Sequence, residues 1–93
     1  GVLAMAVKKI VRVNQCGCAI CQGKDTNHPD RQRHYQINLL MSTMNARQRR
    51  LFAAYEAEKI GAGGISQVAR ITGLDRKTIR KGITELYALP TNS

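Results

Sequence analysis

The sequence lacks tryptophan and has one phenylalanine and three tyrosines among its 93 residues. A hydrophobic core must therefore be built from Leu, Ile, Val, Met and Ala side chains. So few aromatic residues argue against a platform on which the bases of single-stranded nucleic acid would stack. The apolar runs are also short, which argues against a membrane-spanning helix and against a membrane as partner.

Acidic residues are few, since six Asp and Glu stand against fifteen Lys and Arg and the formal net charge is +9. A chain of 93 residues has little room for a catalytic cleft, so we predict a protein that is not an enzyme. An active site with two metal ions in particular would need several convergent carboxylates. The positive charge predicts a polyanionic partner, for which nucleic acid comes first and acidic lipid second. Of these two classes we expect nucleic acid and not a membrane. Residues 1–44 hold six basic and two acidic residues, and residues 45–93 hold nine and four. The charge therefore belongs to the whole folded surface rather than to a basic tail.

The length of the chain allows one domain of ordinary size. The segment Gly1–Val7 is too short for a signal peptide, so we expect a cytoplasmic protein. No residue pattern indicates a small-molecule substrate.

Three segments follow one another along the chain. We predict an N-terminal arm with a cysteine-containing loop, a linking or self-association helix, and a helix-turn-helix domain, over residues 1–28, 29–44 and 45–88. The β-branched residues between Val7 and Val13 favour a short strand or an extended arm. The apolar run Ile37–Met41 makes the second segment, together with the arm, the expected surface of a homodimer.

Capping residues predict where the helices begin. Pro29 is well tolerated at the first position of a helix. Asn45 and Gln48 have the spacing of a capping box, although the sequence leaves open whether one helix or two span this region. Asp75 is a favourable N-cap for a last helix over Arg76–Tyr87.

The segment Ile65–Thr84 has the pattern of a helix-turn-helix, in which a tight turn containing glycine joins two short helices. Ala69 is small enough for the helices to cross closely, Gly73 can adopt the positive φ of the turn, and Ile79 fills the space between the helices. We therefore predict a mainly α fold. It comprises a small, homeodomain-like helix-turn-helix domain of three to four helices and a loop-rich or β-stranded N-terminal arm.

The second helix of such a unit lies in the major groove of double-stranded DNA. Its outward polar residues are the candidates for contacts to base edges, namely Arg76, Lys77, Arg80 and Thr84. The candidates for contacts to the DNA backbone on the neighbouring surfaces are Ser66, Gln67, Arg70 and Lys81. The helix before this motif carries a second basic cluster, which consists of Arg47, Arg49 and Arg50. These arginines either contact further DNA phosphates or form a solvated helix face that favours solubility.

A resemblance to a known family rests on the stretch QINLLMSTMNARQRRLFAAYEAEKIGAGGISQVARITGLDRKTIRKGITEL, a little over half of the chain. Its distinctive parts are NARQRRLFAAYEA, GGISQVARITGL and DRKTIRKGITEL. This stretch resembles the region ahead of the catalytic domain in insertion-sequence transposases of the Rhodopirellula type. The resemblance implies a DNA-recognition helix-turn-helix and no catalytic role, because the carboxylate triad of that family lies in a later, separate domain. It is compatible with a truncated transposase, a stand-alone relative or an excised domain.

Two other functions stay open. The same helices are suited to docking on another protein, with the positive charge serving only solubility. Alternatively, residues 1–44 form a zinc-stabilised arm that binds RNA or DNA.

Three cysteines lie close together in the motif CGCAIC, at Cys16, Cys18 and Cys21. Three thiolates and the imidazole of His28 would complete a tetrahedral structural zinc site. The motif is also compatible with reduced thiols in a cytoplasmic protein, or with a redox disulfide between Cys18 and Cys21. Apart from this candidate zinc ion, the sequence predicts no cofactor.

Overall fold

The computed structural model describes residues 13–90, and within this range it contains five α-helices and no β-strand. The helices are α1 (Ala19–Gln22), α2 (Pro29–Met41), α3 (Ala46–Ile60), α4 (Gly64–Thr72) and α5 (Arg76–Tyr87). The prediction of a mainly α protein is confirmed. Most of the predicted strand or arm falls on residues 1–12, which lie outside the described residues. No helix in the described part of the chain is long and apolar enough to cross a membrane.

Side-chain caps define the starts of α2 and α3. The Nδ1 atom of His28 accepts a hydrogen bond from the amide of Asp30 at 3.0 Å, and Pro29 occupies the first turn of α2. The capping box before α3 is complete, because Asn45 and Gln48 exchange side-chain to backbone hydrogen bonds of 2.8 and 2.9 Å. The region therefore forms two helices separated by a turn. Asp75 lies at the N-cap position of α5, but its side chain makes no capping hydrogen bond.

The core lies where α4 and α5 pack on α3. Its buried cluster consists of Ala53, Ala57, Val68 and Ile79. Ile79 and Val68 are the largest fully buried side chains in the described part of the chain. Ala69 and Ile83 are partly buried against this cluster. The predicted seam between the last two helices thus extends onto α3.

Two glycines allow the helix backbones to approach closely. A Cβ atom at Gly82 of α5 would lie 2.8 Å from the carbonyl carbon of Arg50 in α3. A Cβ atom at Gly64 of α4 would lie 3.0 Å from the carbonyl carbon of Ala57, also in α3. In both cases the nearest atom is the carbonyl oxygen of the same α3 residue, which would lie closer than real Cβ contacts allow, so both contacts require glycine. These close approaches position α4 and α5 on α3.

The turn between α4 and α5 has the conformation that the sequence predicts. Gly73 has φ 78° and ψ 2°, and its amide donates to the carbonyl oxygen of Ala69 at 2.9 Å. This left-handed conformation is costly for residues with a Cβ atom. The hydroxyl of Thr72 donates to Val68 at 2.7 Å and accepts from the amide of Leu74 at 3.2 Å. Local hydrogen bonds thus fix the angle at which α5 leaves α4.

Candidate metal centre and nucleic-acid interface

One face of α5 is exposed and carries a dense group of cations. The exposed residues on this face are Arg76, Lys77, Arg80, Lys81 and Thr84. The opposite face contains Ile79 and Gly82, which are buried against α3. The structure therefore places all four predicted base-edge residues on one accessible surface, which we call the basic face of α5.

The predicted backbone-contact residues on α4 divide into two groups. Ser66 and Arg70 line a surface groove between α4 and α5, together with Arg76, Lys77 and Arg80. Gln67 points to the other side of α4, where it lines a cavity between α2, α3 and α4. The structure thus brings Ser66 and Arg70 beside the basic face and leaves Gln67 away from it.

The second predicted basic cluster is mostly engaged within the protein. Arg50 forms a bidentate ion pair with Glu85 of α5, with distances of 2.8 and 2.9 Å. Hydrogen bonding to Arg50 lowers the pKa of Glu85. Arg49 donates from Nε to the carbonyl oxygen of Met41 at the end of α2, at 2.9 Å. Of these three arginines, only Arg47 is exposed, and Arg49 and Arg50 are half-buried.

The three cysteines converge on one histidine of α2. The Sγ atoms of Cys16, Cys18 and Cys21 each lie 3.4 Å from Nδ1 of His34. All four candidate ligand atoms lie within 4.8 Å of one another. We call these four residues the Cys–His cluster.

The fourth member of the cluster corrects the sequence prediction, which named His28. The ring of His28 accepts a hydrogen bond from Asp30 and caps α2, so it belongs to the start of that helix. His34 lies within α2, on the face that is buried. The buried face of α2 consists of His34, Asn38 and Met41. Two of these three residues are polar, so apolar periodicity in the sequence does not mark this face.

Burial and local hydrogen bonds both shift the pKa values of the Cys–His cluster. Burial raises the pKa of the Cys16 thiol to about 12. Burial acts in the same direction at Cys18, but hydrogen bonds from the Cys21 amide and the neighbouring thiols outweigh it, so the pKa of Cys18 is lowered. The pKa of His34 is also lowered by burial, which keeps the ring neutral at pH 7. A neutral ring offers a nitrogen lone pair, as a metal ligand must.

The cysteine loop is attached to the C-terminal end of α4. The amide of Gly17 donates to the carbonyl oxygen of Arg70 at 2.9 Å. The side-chain amides of Asn14 and Asn38 both donate to the carbonyl oxygen of Ile71, at 3.2 and 2.8 Å. The last carbonyls of a helix have no partner within the helix, so these bonds satisfy groups that α4 leaves unpaired. The end of α4 is thereby held between the cysteine loop and α2.

Comparison of the chain with protein-family models, with curated proteins and with solved structures found no match.

Proposed function

We propose that the protein binds double-stranded DNA with sequence specificity and that α4 and α5 form a homeodomain-like helix-turn-helix. In this proposal α5 lies in the major groove, whose width admits an α-helix. The observation that carries the proposal is the basic face of α5, which presents four cations immediately after the turn at Gly73. The net charge of +9 supports it, because cations that neutralise phosphates supply most of the non-specific affinity for DNA.

We assign base contacts to the side chains of α5 that point away from α3. Arg76, Lys77, Arg80 and Thr84 would read base edges, and arginine is suited to a bidentate contact with guanine. Ser66, Arg70 and Lys81 would contact phosphates and fix the position of α5 along the groove. The pairing of Glu85 with Arg50 offsets the one carboxylate within α5, and Asp75 at the N-cap of this helix is the acidic residue that remains beside the basic face.

We assign the second basic cluster mainly to the scaffold. Arg50 and Arg49 hold α5 and the end of α2 against α3. Arg47 is exposed and remains a candidate for a phosphate contact. Gln67 faces the cavity on the α2 side of α4, so contact with DNA there would require a different orientation of the protein.

The proposed biological role is that of a transposase-derived DNA-recognition module or a stand-alone regulator without catalytic activity. It follows from the resemblance in sequence to the recognition region of insertion-sequence transposases. One recognition helix reads only a few base pairs, so useful specificity requires a second copy or an attached domain.

Within the predicted self-association run Ile37–Met41, Met41 is buried in the core, whereas Leu39 and Leu40 are exposed. The surface that we propose for a homodimer is therefore the exposed apolar patch on α2. Tyr35, Leu39 and Leu40 are 55%, 43% and 52% exposed. An apolar patch of this kind is a common feature of protein interfaces. Sedimentation velocity over a range of concentrations tests this, and a monomer at every concentration would refute it.

The DNA proposal is tested by selecting bound sequences from a random duplex pool and measuring their affinity at two salt concentrations. Arg80→Ala should cost about 1–3 kcal/mol of binding free energy and relax the preference at one base pair. Lys81→Ala should weaken binding to all sequences equally. It should also reduce the slope of the logarithm of affinity against the logarithm of salt concentration by about one. Lys24→Ala is the matched control, because it removes one exposed cation from the loop before α2 and leaves the basic face intact.

Each outcome separates the competing functions. An enriched sequence with a steep salt dependence supports specific recognition. Binding without enrichment contradicts the specificity and leaves a sequence-neutral contact. Absence of binding at low salt refutes the DNA proposal and favours the alternative, in which the same helices dock on another protein.

A further inference from the structure

The three sulfur contacts of His34 are not explained by hydrogen bonds. Nδ1 of an imidazole carries either one hydrogen or one lone pair. It can therefore form one good hydrogen bond, whereas the Sγ atoms of Cys16, Cys18 and Cys21 all lie 3.4 Å away from it. Three equal distances to one nitrogen indicate a common centre that lies between the four atoms.

The distances match tetrahedral coordination of a metal ion. Zinc binds thiolate sulfur at about 2.3 Å and histidine nitrogen at about 2.0 Å, so a tetrahedron places each sulfur about 3.5 Å from the nitrogen. The same geometry separates the sulfur atoms by about 3.8 Å. The observed 3.4 Å separations and the 4.8 Å limit for all four atoms agree with this arrangement.

Backbone amides around the cluster are placed to stabilise bound thiolates. The amide of Cys18 donates to Sγ of Cys16 at 3.3 Å, and the amide of Cys21 donates to Sγ of Cys18 at 3.5 Å. Such hydrogen bonds orient metal ligands and offset their negative charge. The side-chain amide of Gln22 donates to the carbonyl oxygen of Cys16 at 2.8 Å, which closes the loop around the cluster.

We propose that Cys16, Cys18, Cys21 and His34 bind one structural zinc ion. Three thiolates and one imidazole are a ligand set of closed structural zinc sites, and thiolates favour zinc over harder divalent cations. This site goes beyond the proposed DNA binding and does not depend on it.

The zinc ion acts as an anchor for the C-terminal end of α4. It joins the cysteine loop to α2 through His34, and both of these elements hold the last carbonyls of α4. The loop does so through Gly17 and Asn14, and α2 does so through Asn38. A Cβ atom at Gly73 would also lie 3.0 Å from the side chain of Asn14, so this anchor adjoins the turn before α5.

The matched variants His34→Asn and His28→Asn test the ligand set. Asparagine is a favourable N-cap residue, so it preserves the start of α2 at position 28. The reduced proteins are assayed for zinc content and for zinc affinity by competition with a chromophoric chelator. Wild type and His28→Asn should bind one zinc ion per chain. His34→Asn should lose more than about 100-fold in affinity, because even second-shell changes cost 10–100-fold.

Cobalt substitution of the wild-type protein tests the site without a variant. Tetrahedral Co²⁺ bound to thiolates gives intense visible bands and sulfur-to-metal charge transfer, whereas octahedral Co²⁺ is pale. We expect the tetrahedral spectrum and its displacement by one equivalent of zinc. A pale spectrum, a wild-type protein that binds no zinc while reduced, or equal losses in the two histidine variants would each overturn the proposal.

Hydrogen exchange with and without a chelator tests the anchor. Removal of zinc should accelerate exchange at the Gly17 amide and in α2, while amides of α3 and α5 where these helices pack together keep their protection. Equal acceleration throughout the chain, or no change at all, would refute the local anchoring role. Because this readout contains no DNA, its failure is distinct from a failure of the proposed function.

Discussion

The substitution Gly82→Ala sets two physical effects of opposite sign against each other. In a helix interior, alanine is favoured over glycine by about 1 kcal/mol. At position 82, however, the added Cβ atom would lie 2.8 Å from the carbonyl carbon of Arg50 and 3.2 Å from its Cβ. The first effect raises the free energy of unfolding, and the second lowers it.

The nature of the obstructing atoms decides which effect is larger. Overpacking a well-packed site costs about 1–3 kcal/mol. The obstruction at Gly82 is mainly the backbone of α3, which cannot rotate away as a flexible side chain can. We therefore expect a cost near 3 kcal/mol, partly offset by helix propensity, and a net loss of about 2 kcal/mol.

Thermal denaturation followed by circular dichroism measures this difference. For a domain of this size, a loss of about 2 kcal/mol lowers the Tm by about 8–16 °C. Lys81→Ala is the control, because it changes an exposed neighbouring position of α5 and should alter stability by less than about 0.5 kcal/mol. A Gly82→Ala variant with a higher Tm than wild type would refute the close crossing of α3 and α5.

Three further predictions follow from the turn, a buried amide and the ion pair. Gly73→Val should lower the Tm, because a β-branched residue resists a φ of 78°, and an unchanged Tm would contradict the turn. Asn38→Leu removes the shorter of the two hydrogen bonds to the carbonyl oxygen of Ile71, so urea denaturation should show that the free energy of unfolding falls by about 1 kcal/mol. A variant as stable as the wild type would show that this hydrogen bond does not stabilise the fold. The lowered pKa of Glu85 means that its pairing with Arg50 stabilises the fold above the ordinary Glu pKa of about 4.3 and loses this effect as the pH falls through the lowered value. The Tm difference between wild type and Glu85→Gln should therefore shrink on acidification, and a constant difference would argue against the pair.

Local signals in the sequence were sufficient to predict the ends of several helices. The capping box of Asn45 and Gln48 and the left-handed turn at Gly73 are both present. These features depend on hydrogen bonds and dihedral angles within a few residues, so the nearby sequence contains the information that determines them.

Contacts between distant residues could not be predicted in the same way. His28 is closer to the cysteines along the chain, but His34 reaches them because α2 packs beside the cysteine loop. From the sequence, Arg50 is a candidate for a phosphate contact. In the structure it pairs instead with Glu85, which lies 35 residues further along the chain. The close approach at Gly82 likewise depends on where two helices cross, which hydropathy and capping do not encode.

The small residues between the helices have a consequence for the heat capacity of unfolding. Where α4 and α5 meet α3, the buried positions include Ala53, Ala57, Gly64 and Gly82, so backbones rather than large side chains fill much of the interior. Unfolding then exposes less apolar surface per residue, and the heat capacity change rises with that surface. We expect an increment below the usual value of about 12–15 cal/mol/K per residue. The curve of the free energy of unfolding against temperature should consequently be less strongly curved than is usual for a domain of this size.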